Sequence, residues 1–161
     1  MTQTNETTQT TFRVSGLPGE VLEAARSGGA DARGNVPVRM VADGGEPVRC
    51  CLQDARAGEG LVLFGYAPPL PESPTARPGR SSHISVSVRH HPRTATPPTG
   101  GGRPQVLRAY DARGWIHPAT RTHDGTDPEA AVAAVLAEPG VVQVHSRNIA
   151  YGCWMFTAVA A

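Results

Sequence analysis

The spacing of apolar positions predicts a chain built mainly from short β-strands. Successive side chains of a strand point to opposite faces, so strictly alternating apolar and polar residues indicate a half-buried strand. Ile84–His90 is an example, because Ile84, Val86 and Val88 share one face. Comparable runs between Gly-, Pro- and Asp-bearing turns lie at Phe12–Val14, Val36–Val41, Val48–Leu52, Leu61–Tyr66, Val106–Asp111, Val141–Asn148 and Cys153–Val159.

One longer segment has helical periodicity. Residues 126–129, Thr-Asp-Pro-Glu, form a capping-box pattern with proline acceptable in the first turn. Val132, Val135 and Leu136 would then share one helical face. The pattern predicts a main helix at about 127–138, in addition to a short helical stretch at Glu20–Arg26.

Strands outnumber helices, and the strands do not alternate with helices. This order predicts an α+β fold in which a mostly antiparallel sheet carries the 127–138 helix. The length of 161 residues suits one domain with its own core. We therefore expect a disordered polar tail at 1–11, a single domain over 12–161 and a flexible Pro/Gly-rich loop at 92–104.

The charged residues restrict the chemistry. All 15 basic residues are arginine and the formal net charge is +1. Without lysine the chain has no side chain for a Schiff base, for a pyridoxal-phosphate linkage or for the phosphate contact of a P-loop lysine. We predict no cofactor. Balanced charge argues against a nucleic-acid partner. Arginine would have to bind any anionic ligand, as a bidentate fork.

The cysteines and the N-terminus bear on compartment. Cys50, Cys51 and Cys153 make neither a disulfide framework nor a zinc-knuckle spacing, which fits a reducing compartment. The polar N-terminus has no secretory pattern, and no apolar run approaches the length of a membrane span. We expect a cytoplasmic protein with no membrane partner, whereas its oligomeric state stays open.

The stretch 144–156 carries the main candidate for catalysis. On a regular strand, Gln143, His145 and Arg147 share one face, opposite an apolar face. His145 would act as a general acid or base, since the ordinary histidine pKa lies near neutrality. Arg147 would keep it neutral. The alternative is a structural histidine that is hydrogen-bonded within the sheet.

Two other predicted strands offer arginines. Arg49 and Cys51 would point to one side of Val48–Leu52, and Arg108 and Tyr110 to one side of Val106–Asp111. If these faces converge on Arg147, they form a pocket for a carboxylate or phosphate, with Tyr110 as a hydrogen-bond donor. The alternative is arginines scattered over the solvated face of an antiparallel sheet.

Cys153 and the histidines suggest further chemistry. Cys153 is a candidate nucleophile if a histidine on the neighbouring strand lies within reach, and otherwise it is an inert small hydrophobe. A metal site would combine His145 with His83 or His91. We assign no metal ligand, because no carboxylate lies at ligand spacing nearby.

Four ordered blocks resemble a bacterial family catalogued as domain of unknown function 1203. They are Phe12–Pro18, Arg49–Ala55, Arg108–Ala112, and Val144–Asn148 with Gly152-Cys153. The resemblance implies one small α+β domain but carries no established activity or cofactor. It associates Arg49, Arg108, Tyr110, His145 and Arg147 with family blocks.

The leading hypothesis is a small enzyme that acts on an anionic metabolite by acid–base chemistry, as an isomerase, cyclase or lyase. His145 and Tyr110 would be catalytic, and Arg49, Arg108 and Arg147 would hold the anion. The main alternative is a non-catalytic domain that binds a small ligand or partner through the same arginines. A third is a metal enzyme with histidine ligands.

Overall fold

The structure is a computed structural model that describes residues 11–31, 34–71, 82–87 and 102–161. Its strands are β1 Phe12–Ser15, β2 Val38–Val41, β3 Pro47–Val48, β4 Gln53–Asp54, β5 Gly60–Tyr66, β6 Ser82–Ser87, β7 Gln105–Tyr110, β8 Arg121–His123, β9 Gln143–Asn148 and β10 Trp154–Ala160; its helices are α1 Gly19–Arg26 and α2 Pro128–Leu136. The predicted α+β class and mostly antiparallel pairing are confirmed.

The strands form two five-stranded sheets instead of the one predicted. The first sheet has the order β1-β10-β9-β7-β8 and is antiparallel throughout. The second sheet has the order β2-β5-β6-β3-β4, and its β3–β6 pair is parallel. Most of the tail predicted at 1–11 and most of the loop predicted at 92–104 lie outside the described residues. The single domain over 12–161 stays a prediction.

α2 begins one residue later than the capping-box pattern suggests. Asp127 is the N-cap, and its side chain accepts a hydrogen bond from the Ala130 backbone N–H at 3.0 Å. Pro128 then occupies the first helical turn, where a missing N–H costs nothing. The helix packs on the first sheet through Val132, Val135 and Leu136, as the spacing predicts.

The buried residues form two clusters. The α2 core comprises Leu107, Ala109, Val132, Val135, Leu136, Val144, Met155, Phe156 and Ala158. The β5 core comprises Leu17, Ala25, Ala42, Val48, Cys50, Cys51, Ala55, Leu61, Val62, Phe64, Tyr66 and Trp154. Because Trp154 belongs to β10, one strand of the first sheet contributes to the core of the second.

A β-bulge in β10 divides its aromatic residues between the two cores. Trp154 pairs with Arg147 and Phe156 with Ser146, so the register shifts between them. In a regular strand the two rings would point to the same face. Instead, Trp154 packs in the β5 core, 5.1 Å from the Tyr66 ring between centroids, and Phe156 packs in the α2 core.

The predicted strand Val48–Leu52 is wrong. β3 ends at Val48, and the chain turns through Arg49, Cys50 and Cys51 before β4 starts at Gln53. Leu52 has a φ of 61°, in the left-handed region that does not fit a strand. The strand alternation used for Arg49 and Cys51 therefore does not apply.

This turn packs closely against the segment that follows β1. The Leu17 N–H donates to the Arg49 carbonyl at 3.2 Å. A Cβ at Gly16 would lie 2.8 Å from that same carbonyl oxygen, which is a backbone atom that cannot swing aside. The absence of a side chain at Gly16 therefore allows this contact.

We expect Gly16→Ala to lower the free energy of unfolding by roughly 1–3 kcal/mol, because the new methyl group overpacks the contact. Gly19→Ala is the matched control, since a Cβ there meets nothing within 4 Å. It should raise stability by roughly 0.4–1 kcal/mol through a less flexible unfolded chain. Urea denaturation of both variants measures the difference, and equal effects would contradict this explanation.

Candidate functional site

The pairing of β7 with β9 brings three predicted site residues onto one face of the first sheet. Arg108 lies directly opposite His145, and Tyr110 lies opposite Gln143. Directly paired residues of an antiparallel sheet point to the same side. Since Val144 and Ala109 pack in the α2 core, this site face is the side of the sheet away from α2.

His145 is fully enclosed at the centre of this face, with 0% of its surface exposed. The Gln143 amide nitrogen lies 2.6 Å from His145 Nε2 and donates to the Pro69 carbonyl at 2.8 Å. His145 Nε2 is also 3.2 Å from that carbonyl. The Tyr110 ring meets the imidazole edge-on, with 4.7 Å between centroids.

The surroundings of His145 favour its neutral form. Burial, and then the nearby Arg147 and Arg108 guanidinium groups, lower its pKa from the ordinary 6.5 to about 4, against an opposing contribution from the Pro69 carbonyl. If the Gln143 amide donates to Nε2 of the neutral ring, the ring proton lies on Nδ1. Within the described part of the chain, Nδ1 has no hydrogen-bond partner.

Arg108 and Arg147 flank this neutral histidine, one across the strand pair and one along β9. Both side chains are half-buried. Arg147 Nη1 donates to the Gly152 carbonyl at 3.0 Å, which fixes the guanidinium beside the β9–β10 turn. No residue in the described ranges accepts a hydrogen bond from Arg108 or forms an ion pair with it.

Arg49 lies in a different environment. It is 4% exposed, its Nε donates to the Trp154 carbonyl at 2.9 Å, and its Nη1 donates to the Pro47 carbonyl. Burial lowers its pKa to about 10, and the charged side chains near it are Arg103 and Asp54. The guanidinium therefore joins backbone groups of the two sheets, apart from the charged neighbours of His145.

Cys153 does not pair with His145. The Asn148 N–H donates to the Cys153 carbonyl at 2.8 Å, whereas the β10 residue opposite His145 is Thr157. The register thus separates Cys153 from the histidine by four positions along β10. Asn148 begins the turn, since its side-chain oxygen accepts from the Tyr151 N–H at 3.0 Å. A Cys153–His145 nucleophile pair gains no support from this geometry.

The other cysteines are structural in their surroundings. Cys50 and Cys51 are buried in the β5 core. A hydrogen bond with Cys50, and then burial, raise the pKa of the Cys51 thiol, so it stays protonated. These two side chains therefore behave as small core residues.

The described residues provide no group of three or more His, Cys, Asp or Glu side chains that could hold a metal ion. The side chains of His83 and His91, needed for the metal hypothesis, lie outside what the structure describes. In the same part of the chain, no helix has the length and apolar character needed to cross a membrane.

Two elements of the site were not predicted. Gln143 shares the face of His145 in the sequence pattern, but its amide lies against the imidazole only because both groups approach Pro69. The Pro69 contact is made by a backbone carbonyl in a proline-rich loop, so no side-chain pattern marks it.

The geometry defines an α+β protein with a buried neutral histidine between two arginines on one sheet face. A search against protein families identifies it further. The family described as Protein of unknown function (DUF1203) matches residues 45–159, and the chain belongs to this family. The match contains three of the four blocks noted in the sequence, and Phe12–Pro18 lies before it. No curated protein and no solved structure matches the chain.

The pKa of His145 predicts a pH-dependent stability. Above pH 6.5 the histidine is neutral in both states, but between pH 6.5 and 4 the unfolded chain binds a proton that the folded chain does not. Acidification through this window should therefore remove up to roughly 3 kcal/mol of stability. Urea denaturation at both ends of the window measures this loss.

The matched variant is His145→Gln, which keeps a neutral polar side chain and cannot titrate. Its stability should fall by less than that of the wild type over the same pH window. Identical pH dependence in the two proteins would contradict a buried neutral His145.

Arg49 should contribute strongly to stability. Arg49→Met keeps most of the volume but leaves the Trp154 and Pro47 carbonyls without their donor. We expect a loss of roughly 2–5 kcal/mol, because each buried acceptor keeps its desolvation cost. Arg39→Met is the control: this exposed arginine donates to the Arg26 carbonyl, and its loss should cost less than about 1 kcal/mol. Equal losses in urea denaturation would refute the linking role.

Proposed function

We propose that this protein binds a small anion, a carboxylate or a phosphate, at Arg108 and Arg147 on the site face. The observation that carries the proposal is the half-buried Arg108 guanidinium beside His145, which has no acceptor among the described residues. A guanidinium in such a position offers paired N–H donors to an anion, in surroundings that strengthen the attraction.

The amino-acid composition agrees with an external partner for Arg108. The chain holds 14 acidic residues, and all of them except Glu6 and Glu72 lie within the described ranges. Carboxylates that could neutralise Arg108 from within the chain are therefore scarce.

The neutral state of His145 supports this binding role. An imidazolium between the two arginines would add a third positive charge to a confined region, at a high cost in desolvation and repulsion. A neutral ring instead fills the space between them, and its contacts with Gln143 and Tyr110 fix its position. In this proposal His145 positions the face, and the Tyr110 hydroxyl donates a hydrogen bond to the anion.

Acid–base catalysis by His145 receives less support. A general base works best with a pKa near the working pH and within hydrogen-bond reach of its substrate. The pKa of His145 is about 4, its surface is fully enclosed, and Gln143 and Pro69 already approach its Nε2. We therefore favour a binding domain over an isomerase or lyase.

The test is titration of the wild-type protein with inorganic phosphate and with succinate, followed by calorimetry or amide NMR shifts. We expect millimolar or tighter binding of at least one anion, and about tenfold or greater loss in Arg108→Gln. Arg108→Lys should recover only part of the affinity, because an ammonium cannot form the bidentate contact.

Arg121→Gln is the matched control. Arg121 lies on the same sheet but pairs with Leu107, which belongs to the α2 face. The substitution therefore removes the same charge from the opposite side of the sheet. Its affinity for the anion should stay within a factor of about two. Binding that is equally weakened in both variants, or that persists in Arg108→Gln, would overturn the proposed site.

A further inference from the structure

A cavity of about 330 Å³ lies between α1 and the end of β5. Its walls come from Val21 and Ala24 on the helix and from Phe64, Tyr66 and Ala67 on the strand side. This volume falls in the range of small-molecule sites in proteins. The cavity exists because α1 presents alanines to β5 where larger side chains would fill the space.

The polar side chains that line the cavity are acidic or neutral. Glu20 and Asp31 contribute carboxylates and Tyr66 contributes a phenol, and the lining residues that the structure describes include no arginine or histidine. Asp31 is already occupied, since its two oxygens accept from the Gly65 N–H at 3.0 Å and the Asn35 N–H at 2.9 Å. Glu20 is exposed and lines the cavity, so its carboxylate stands at the mouth.

The Tyr66 hydroxyl is the second polar group available to a ligand. Burial, and then the charge of Glu20, raise the pKa of Tyr66, so the phenol keeps its proton. Its ring is held against Trp154, which fixes the orientation of this wall. A neutral hydroxyl beside a carboxylate can accept a hydrogen bond from a cationic donor.

We propose that the α1–β5 cavity binds a small organic ammonium ion whose hydrocarbon body fills the apolar walls and whose charged nitrogen meets Glu20 and Tyr66. An apolar body gains from burial against Val21, Ala24 and Phe64. A carboxylate at an otherwise apolar mouth favours a cation over a neutral or anionic head group. This ligand differs in charge from the anion proposed for the site face, so the two sites take different molecules.

The test uses three probes with one six-membered hydrocarbon body: cyclohexylammonium, cyclohexanol and cyclohexanecarboxylate. Titration of the full chain, followed by amide NMR shifts, should give about tenfold tighter binding of the ammonium than of the alcohol. The carboxylate should bind more weakly still.

Three variants locate the binding. Ala24→Leu should abolish binding of all three probes, because leucine fills the cavity and suits the helix. Glu20→Gln should weaken binding of the ammonium about tenfold and leave binding of the alcohol unchanged. Glu23→Gln, on the same helix but outside the lining, is the charge-matched control and should change neither.

Each other result overturns the proposal. The site is wrong if the ammonium does not bind or if it still binds Ala24→Leu. Charge recognition by Glu20 is wrong if the alcohol binds as tightly as the ammonium, or if Glu23→Gln weakens binding as much as Glu20→Gln. Phosphate titration of the Glu20→Gln protein reports on the site face separately.

Discussion

The structure depends on one buried cation, the guanidinium of Arg49. It donates to the Pro47 carbonyl of the second sheet and to the Trp154 carbonyl of the first. The backbone carbonyl of Arg49 accepts a hydrogen bond from the Leu17 N–H. A buried charge is costly unless hydrogen bonds compensate it, and here backbone carbonyls do most of this. Because these carbonyls belong to different sheets, the cation is satisfied only when the sheets meet in the observed way.

The site face follows from this arrangement. After β5 of the second sheet, the chain brings the Pro69 carbonyl into contact with Gln143 and His145 of the first sheet. The imidazole beside this contact is fully buried, and its burial is the main cause of its low pKa. Burial of the histidine thus leaves Arg108 and Arg147 as the charges that define the electrostatics of the face.

The alternating pattern predicted most strands and the α+β class, and the Val132–Leu136 spacing predicted α2. The pattern could not predict which residues of neighbouring strands pair, so only the structure showed that Arg108 lies opposite His145. The pattern failed at Arg49–Leu52, where an apolar run resembled a strand although Leu52 adopts a left-handed turn conformation. Local sequence carries little information about contacts that distant backbone groups create, such as those made by Pro69 and Trp154.

The bulge in β10 determines which core each aromatic residue of that strand fills. Its extra residue is what sends Trp154 and Phe156 into different cores. If β10 kept all its residues but paired without the bulge, strict alternation would turn both rings to one side, so one core would lose its aromatic residue and the other would be overfilled. Exchanges among bulky apolar residues leave this division intact. The two cores are therefore coupled through the irregular pairing of a single strand.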